Sequence, residues 1–451
     1  MFERFFDAGL AQTEYLIACG RTREAAVIDP RRDVDAVVAK AREHGLSIAY
    51  AIETHIHADF VSGARELSAL GARIVAGPGS DLRFPFHEAH DRETVRLGDI
   101  ALEILHTPGH TPEHISILVR EPDQPARLLT GDTLFVGAVG RPDLLGEDHA
   151  RQLADQLYDS LFERLLPLGD DIEVHPGHGA GSLCGAGIGK EPSSTLGRER
   201  IFNPLLQITS KPAFIKAVLD DLPETPQYFA RMKIVNRNGP PLLDLGNGVS
   251  TPTAVPADQA KAMVDRGVFV VDLRTSDAFG AGHIPGAINI GFGSRIGYWG
   301  GWILPPETPL LLLAGDPAQA TEARRQLLRV GLDSVAGYLD GGFDAWRTAG
   351  GSVAEIVQIG ARHLHRRLSH ERVTVVDVRT SKEWSAGHLE GAINIPLGDL
   401  PQRAGELRGQ ALVATICESG YRSALASSLL KRAGVRVMNV FDGTSALRDL
   451  K

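Results

Sequence analysis

Short apolar runs and amphipathic stretches alternate along residues 1 to about 235. Ile48–Ile52 is a continuous apolar run of strand length. Glu14–Cys19, Glu24–Ile28, Ile100–Leu105, Ile115–Val119 and Arg127–Leu129 predict further strands. Asp33–His44 predicts a helix, with Asp33 as N-cap and Gly45 just past its end. Leu153, Leu157, Leu161 and Leu165 predict a helix over Ala150–Leu166. From about Lys190 to Pro241 proline is frequent and the periodicity weakens, and Gly239-Pro240-Pro241 with residues 246–256 predicts a linker.

After the linker the pattern repeats itself. Val270-Val271-Asp272-Leu273-Arg274-Thr275-Ser276 returns as Val375-Val376-Asp377-Val378-Arg379-Thr380-Ser381. Ala281-Gly282-His283 returns at Ala386-Gly387-His388, and Gly286-Ala287-Ile288-Asn289-Ile290 returns at Gly391-Ala392-Ile393-Asn394-Ile395. The shared offset of 105 residues is too long for a solenoid repeat and predicts two copies of a small α/β domain with a parallel sheet.

Composition narrows the class. The 451 residues predict two to four domains, and 43% hydrophobic with 23% charged content is that of a globular protein. Forty-seven basic against 56 acidic residues, without long runs, argue against nucleic acid or an anionic membrane as partner. No apolar stretch approaches the roughly 18 residues of a membrane span, and the N-terminus lacks the pattern of a signal peptide. The three cysteines, Cys19, Cys184 and Cys417, are too few for a disulfide framework, so a cytoplasmic location is expected.

The candidate chemistry of the first half sits where strands end. The apolar run Ile48–Ile52 leads into Thr54-His55-Ile56-His57-Ala58-Asp59-Phe60. In an extended segment His55, His57 and Asp59 face one side, and imidazole with carboxylate suits a transition metal. His106-Thr107-Pro108-Gly109-His110, Thr130-Gly131-Asp132 and His175-Pro176-Gly177-His178 follow three further predicted strands. Isolated histidines (His44, His87, His90, His114, His149) read as surface or satisfied core residues. Cys184 reads as small buried packing or a thiol at the pocket edge, and Cys19 as core.

In this order the motifs resemble the metallo-β-lactamase fold, an αββα sandwich. Hydrolases of that fold carry His-x-His-x-Asp-His, whose final pair helps hold a second metal. Phe60 stands at the last position here, which favours one metal over two. Within the superfamily, Asp7–Cys19, His55–Asp59, Thr107-Pro108-Gly109-His110 and Thr130–Leu144 look most like the persulfide dioxygenases. That resemblance implies a mononuclear non-haem Fe(II) held by His55, His110 and Asp132, with dioxygen and a low-molecular-weight thiol persulfide such as glutathione persulfide as substrates and sulfite as product. It implies that Arg141 binds the carboxylate of the thiol, a structural salt bridge being the alternative. His57, Asp59 and His178 are expected behind the ligands, orienting them or retained as loop scaffold.

A different chemistry closes the chain. The apolar strand Ala411–Ile416 ends at Cys417, followed by Glu418-Ser419-Gly420-Tyr421-Arg422-Ser423 and a helix over Ala424–Lys431. Such a loop curls its N–H groups around one point and favours a thiolate or an anionic persulfide, and Arg422 adds positive charge. Cys417 and Arg422 are five residues apart, one short of the Cys-x5-Arg phosphatase loop. The loop, with its Val-Asp-Val-Arg strand and Gly-His turn, resembles the rhodanese sulfurtransferases. That resemblance makes Cys417 and Arg422 catalytic and places Glu418, Ser419, Gly420 and Tyr421 around the substrate. The first repeat has Ala314-Gly315-Asp316-Pro317 at the matching place and no cysteine, and its insertion Gly291–Trp302 is aromatic and glycine-rich.

The expected architecture is therefore an α/β metallo-β-lactamase-like domain (1–240), a cysteine-less rhodanese-like domain (257–352) and an active rhodanese domain (358–451). The partners are a small thiol persulfide, dioxygen and sulfite or thiosulfate, with no nucleic acid and no membrane, in a dimer or tetramer. The alternatives are a zinc-dependent thioester hydrolase of glyoxalase II type with a sulfur carrier, separable by metal content, and a non-catalytic sulfur-binding protein.

Overall fold

The computed structural model describes residues 1–446 of the 451. The chain forms two compact units, one of residues 1–249 with 328–331, the other of 250–327 and the chain from 332 on.

Two six-stranded sheets build the first unit. One runs in chain order through Phe2–Asp7, Gln12–Ala18, Glu24–Ile28, Ser47–Ile52, Arg73–Ala76 and His87–Glu88. The other has the order Ser194–Thr195, Glu173–Pro176, Arg127–Gly131, Ile115–Arg120, Ile100–His106, Thr94–Leu97. Alternate side chains of a strand face opposite ways. Tyr15, Ile17, Ala26, Ile28 and Ile52 meet Leu102, Ile104, Ile117 and Val119 in the core between the sheets. Their neighbours Leu16, Ala18, Ala25, Val27 and Ala51 turn outward against Val37, Val38 and Leu67 of the helices Asp35–Glu43 and Ala64–Ala69. On the far side Leu118, Leu128 and Val174 pack with Leu157, Leu161 and Phe214. The layers are thus helix, sheet, sheet, helix. Gln12–Ala18 is buried along its whole length because both its faces are covered.

Two helix boundaries differ from expectation. The first helix begins at Asp35, with Val34 rather than Asp33 at the cap and no side-chain capping bond; Asp35 supplies the acidic group of the first turn. The leucine-patterned helix starts earlier, at Glu147, and widens after Asp159 into a looser turn over Ser160–Leu165. There the Ser160 hydroxyl donates to the Pro108 carbonyl at 2.6 Å.

The second unit holds two five-stranded parallel sheets of one topology: Ala254–Val255, Val335–Leu339, Leu310–Leu313, Phe269–Asp272, Ile288–Asn289, and Val357–Ile359, Val437–Val440, Val413–Ile416, Thr374–Asp377, Ile393–Asn394. The residues shared by the repeats turn out to be scaffold. Arg274 and Arg379 each fork onto the aspartate two residues back and reach a glycine carbonyl, Gly282 or Gly387. Asn289 and Asn394 tie the same strand ends from the neighbouring strand. His283 stacks on Phe279 and His388 on Trp384, at 4.0 and 3.6 Å between centroids. Among the described residues no helix is long and apolar enough to cross a membrane.

Candidate metal centre and sulfur-transfer loop

Four strand ends of the first unit converge. Ser47–Ile52 delivers His55, Ile100–His106 delivers His110, Arg127–Gly131 delivers Asp132 and Glu173–Pro176 delivers His178. Backbone bonds lash the loops together: Ile115 N–H to Thr54 O at 2.8 Å, and Gly177 N–H to Gly131 O at 2.9 Å. His55 Nε2 lies 3.9 Å and His110 Nε2 3.5 Å from Asp132 Oδ2. These three atoms are buried and have no hydrogen-bond partner. Orphaned polar atoms are costly in a protein interior, and three of them facing one point fit a cation.

The other atom of each group is pinned, and this fixes the protonation pattern. Asp29 accepts the Thr54 N–H at 2.7 Å and the Thr54 hydroxyl at 2.9 Å. With its own proton so used, Thr54 Oγ1 accepts from His55 Nδ1 at 2.9 Å, which leaves Nε2 bare. His110 Nδ1–H donates to the Arg141 carbonyl at 2.9 Å, with the same result. Burial, with neighbouring histidines, pushes the His55 pKa well down, and burial lowers that of His110, so both rings are neutral donors. Burial opposes the Asp132 charge, but His178 and His110 outweigh it and hold that carboxyl below the usual range.

His178 bridges Asp132 Oδ1 and Asp59 Oδ2, each at 2.8 Å. Burial works against its charge, yet the two carboxylates raise its pKa to about 10. His57 engages two acids through Nε2, while its Nδ1 is buried without a partner. Its Nε2 lies 3.1 Å from both Asp29 Oδ1 and Glu53 Oε2, and these raise its pKa well above the usual value against the opposing effect of burial. Phe60 is fully buried with its ring 4.3 Å from that of His57. Cys184 is buried beside Phe135 and Ala138, and burial pushes its thiol pKa well up.

Arg141 departs from the expected carboxylate clamp. Its guanidinium is 1% exposed and forks onto Asp143 at 2.7 Å through both Nε and Nη2, with Leu183 O and Thr225 Oγ1 as further acceptors. The carboxylate it grips is the chain's own, two residues away, which makes the arginine a brace between loops. Its backbone carbonyl is the part that meets the centre.

Around Cys417 the loop closes as expected. Sγ accepts the N–H of Gly420 at 3.2 Å and of Ser423 at 3.4 Å, with the Ser423 hydroxyl 3.7 Å away. Gly420 has φ +93°, and a Cβ there would lie 1.8 Å from the Phe441 carbonyl, so only glycine turns this corner. The helix Tyr421–Arg432 begins immediately after it. Ser419 and Tyr421 are exposed at the rim, and Glu418 accepts from Thr444 Oγ1 at 2.9 Å. Arg422 points at Glu383, at 2.6 and 2.7 Å, so its charge is met within the domain. At the matching place in the first copy, Ala314, Gly315 and Asp316 line an open concavity with Arg274 and Phe343.

Several participants escaped the sequence reading. Asp29 and Thr54 set the His55 tautomer; Asn236 holds the carbonyls of His57 and Phe60 at 2.8 and 2.7 Å. Glu383 and Ser423 shape the cysteine loop. His114 is a satisfied core histidine, accepting the Asp132 N–H at 2.9 Å.

A metallo-beta-lactamase superfamily model matches residues 9–178, and a rhodanese-like domain model matches residues 256–349 and 361–449. The mitochondrial persulfide dioxygenase ETHE1 of Homo sapiens is 28% identical over 260 residues, 56% of this chain and 91% of that protein. The hydroxyacylglutathione hydrolase of Anaeromyxobacter dehalogenans is 36% identical over 191 residues, 42% of this chain and 69% of that protein. A solved metallo-beta-lactamase from Staphylococcus aureus is 36% identical with a TM-score of 0.66, covering 75% of this chain and 98% of its own. The helix–sheet–sheet–helix unit and these matches together place the chain in the metallo-β-lactamase superfamily, as a member with persulfide dioxygenase homologues and two rhodanese-like domains.

Proposed function

We propose that the chain is a persulfide dioxygenase (residues 1–240) joined to a cysteine-less rhodanese-like domain (257–352) and a sulfurtransferase (358–451). The donor set carries the first half of this reading: two neutral imidazole nitrogens and one carboxylate oxygen, buried, unpartnered and facing one another. Two histidines and one carboxylate with open positions suit non-haem Fe(II). Held there, ferrous iron supplies the redox chemistry by which dioxygen oxidises the terminal sulfur of a thiol persulfide. Persulfide, dioxygen and water then give thiol, sulfite and two protons. The chain's part is to keep both rings in the donating tautomer through Thr54 and the Arg141 carbonyl, and to hold Asp132 charged through His178.

In the third domain the Cys417 thiolate attacks the outer sulfur of thiosulfate. The S–S bond breaks, sulfite leaves with the electron pair, and Cys417 becomes a persulfide. A thiolate acceptor then takes the sulfane sulfur and regenerates Cys417; run backwards, sulfite takes it and thiosulfate forms. The Gly420 and Ser423 N–H groups face the negative sulfur throughout. The chemistry belongs in a reducing cytoplasm that holds small thiols.

Likeness to hydroxyacylglutathione hydrolases supports a second reading, a zinc hydrolase of thioesters. Purification without oxygen, metal analysis and oxygen uptake with glutathione persulfide separate the two. About one iron per chain with persulfide-dependent uptake and sulfite release is expected. Zinc, no uptake and thioester cleavage would establish the hydrolase instead.

A further inference from the structure

The Cys417 loop has spent its own cations. Arg422 is forked onto Glu383. Arg379 is forked onto Asp377 at 2.9 and 2.7 Å, with Glu418 3.7 Å from its remaining nitrogen. Yet thiosulfate is a dianion and must approach a negative sulfur.

The cysteine-less domain brings an unspent cation to this loop. The helix Tyr421–Arg432 lies on that domain's strand Ile288–Asn289: Asn289 N–H donates to the buried Ser428 Oγ at 3.1 Å, and Arg432 reaches the Gly286 carbonyl at 2.7 Å. The Arg432 guanidinium also covers the Phe269 ring at 4.0 Å. The insertion begins right after this strand. Trp302, at its end, packs directly on Gly398, where a Cβ would fall 2.2 Å from the indole. At its start, a Cβ on Gly291 would lie 3.7 Å from the Tyr421 ring. Between them stands Arg295, exposed, its guanidinium 5.4 Å from the Tyr298 ring centroid. Among the described residues no carboxylate pairs with it. The Tyr421 phenol, 39% exposed, is partly desolvated, which raises its pKa, and the Arg295 charge opposes that rise. Tyr421 adjoins Gly420, whose N–H meets Cys417 Sγ.

We propose that Arg295 of the cysteine-less domain, with Tyr421, forms a sulfur-oxyanion site at the mouth of the Cys417 loop, holding the sulfonate end of thiosulfate or sulfite so that its sulfur faces Cys417. This rests on reading Cys417 as a sulfurtransferase nucleophile. It gives the cysteine-less copy a specificity role that needs no thiol. An exposed guanidinium donating to an oxyanion in a charge-assisted pair is worth about tenfold in affinity.

The test uses the full chain and thiosulfate-to-glutathione transfer. Arg295→Gln is expected to raise KM for thiosulfate about tenfold with kcat within about twofold, Arg295→Lys to recover most of the loss, and oxygen uptake with glutathione persulfide to stay at the wild-type rate. Without turnover, sulfite should slow iodoacetamide labelling of Cys417 in the wild type and lose that protection in Arg295→Gln. Wild-type KM and protection in Arg295→Gln would overturn the site. A raised KM for glutathione alone would overturn its oxyanion preference in favour of a carboxylate. Absence of transfer in the wild type would refute the sulfurtransferase reading, while Arg295-dependent protection by sulfite would still uphold the site.

Discussion

Thr54→Val tests whether the donating tautomer of His55 is imposed by the chain. Valine keeps the shape and removes the hydroxyl that donates to Asp29 and accepts from His55 Nδ1. Without metal the variant ring can place its proton on Nε2, so little is lost. Metal at Nε2 forces the proton to Nδ1, where it now faces a methyl group in a fully buried position. An unsatisfied buried donor costs about 1–3 kcal/mol, or roughly 5- to 150-fold in metal affinity. That brackets the 10- to 100-fold typical of groups behind a metal ligand. Chelator competition with Fe(II) under anaerobic conditions measures it directly. Thr54→Ser keeps the hydroxyl and should bind within a few-fold of wild type. Equal affinity of the valine and serine variants would refute the relay from Asp29 through Thr54 to His55.

Cys417→Ser should abolish sulfur transfer and leave oxygen uptake intact; loss of both in a folded variant would show that the two chemistries are not separate. Phe60→His should still bind one metal per chain by elemental analysis, since Asp59 and His178 are already engaged with each other; two metals would contradict this. Glu383→Gln should reveal a pH-dependent ion pair. Arg422 is the main cause that lowers the Glu383 pKa from 4.5 to about 2. A depressed folded-state pKa stabilises above the unfolded value, and that stabilisation is lost as pH falls from about 4.5 toward 2. With 37% of the Glu383 side chain exposed, screening leaves on the order of 1 kcal/mol. The difference in thermal midpoint between wild type and variant should be constant above pH 5 and close toward pH 2, and a gap independent of pH would refute it.

Local pattern was legible where one period dominates. Ile48–Ile52 reads correctly as a strand because it is a short apolar run, and Ile100–Leu105 because Ile100, Leu102 and Ile104 alternate with the half-buried Ala101 and Glu103. The 105-residue repeat announced two domains because the Asp–Arg fork and the Asn tether are local devices that each copy must carry. What stayed hidden depends on distance in sequence. Asp29 is 25 residues from Thr54 and Asn236 is 176 from Phe60, with no spacing rule to connect them. Arg141 was open between a substrate carboxylate and a structural salt bridge, and the structure shows the salt bridge with Asp143. An arginine near a metal site suggests an external anion, but Asp143 two residues on was an equally visible partner. The helix start at Asp35 rather than Asp33 is the ordinary slippage of a terminus.

Phe60 offers no ligand atom after Asp59, and His55 Nε2, His110 Nε2 and Asp132 Oδ2 lie close together without hydrogen-bond partners. Unpaired buried charge is expensive. Here the neighbouring charged groups face one another, although His57 Nδ1 and Asp59 Oδ1 keep no hydrogen-bond partner. His57 falls between Asp29 and Glu53; His178 falls between Asp59 and Asp132. Each histidine sets a positive charge between two acids, as its raised pKa requires. The first pair lies behind the loop that carries His55, and the second reaches the one carboxylate still open, Asp132. The two histidines are therefore internal counter-ions to the acids beside the three open donors.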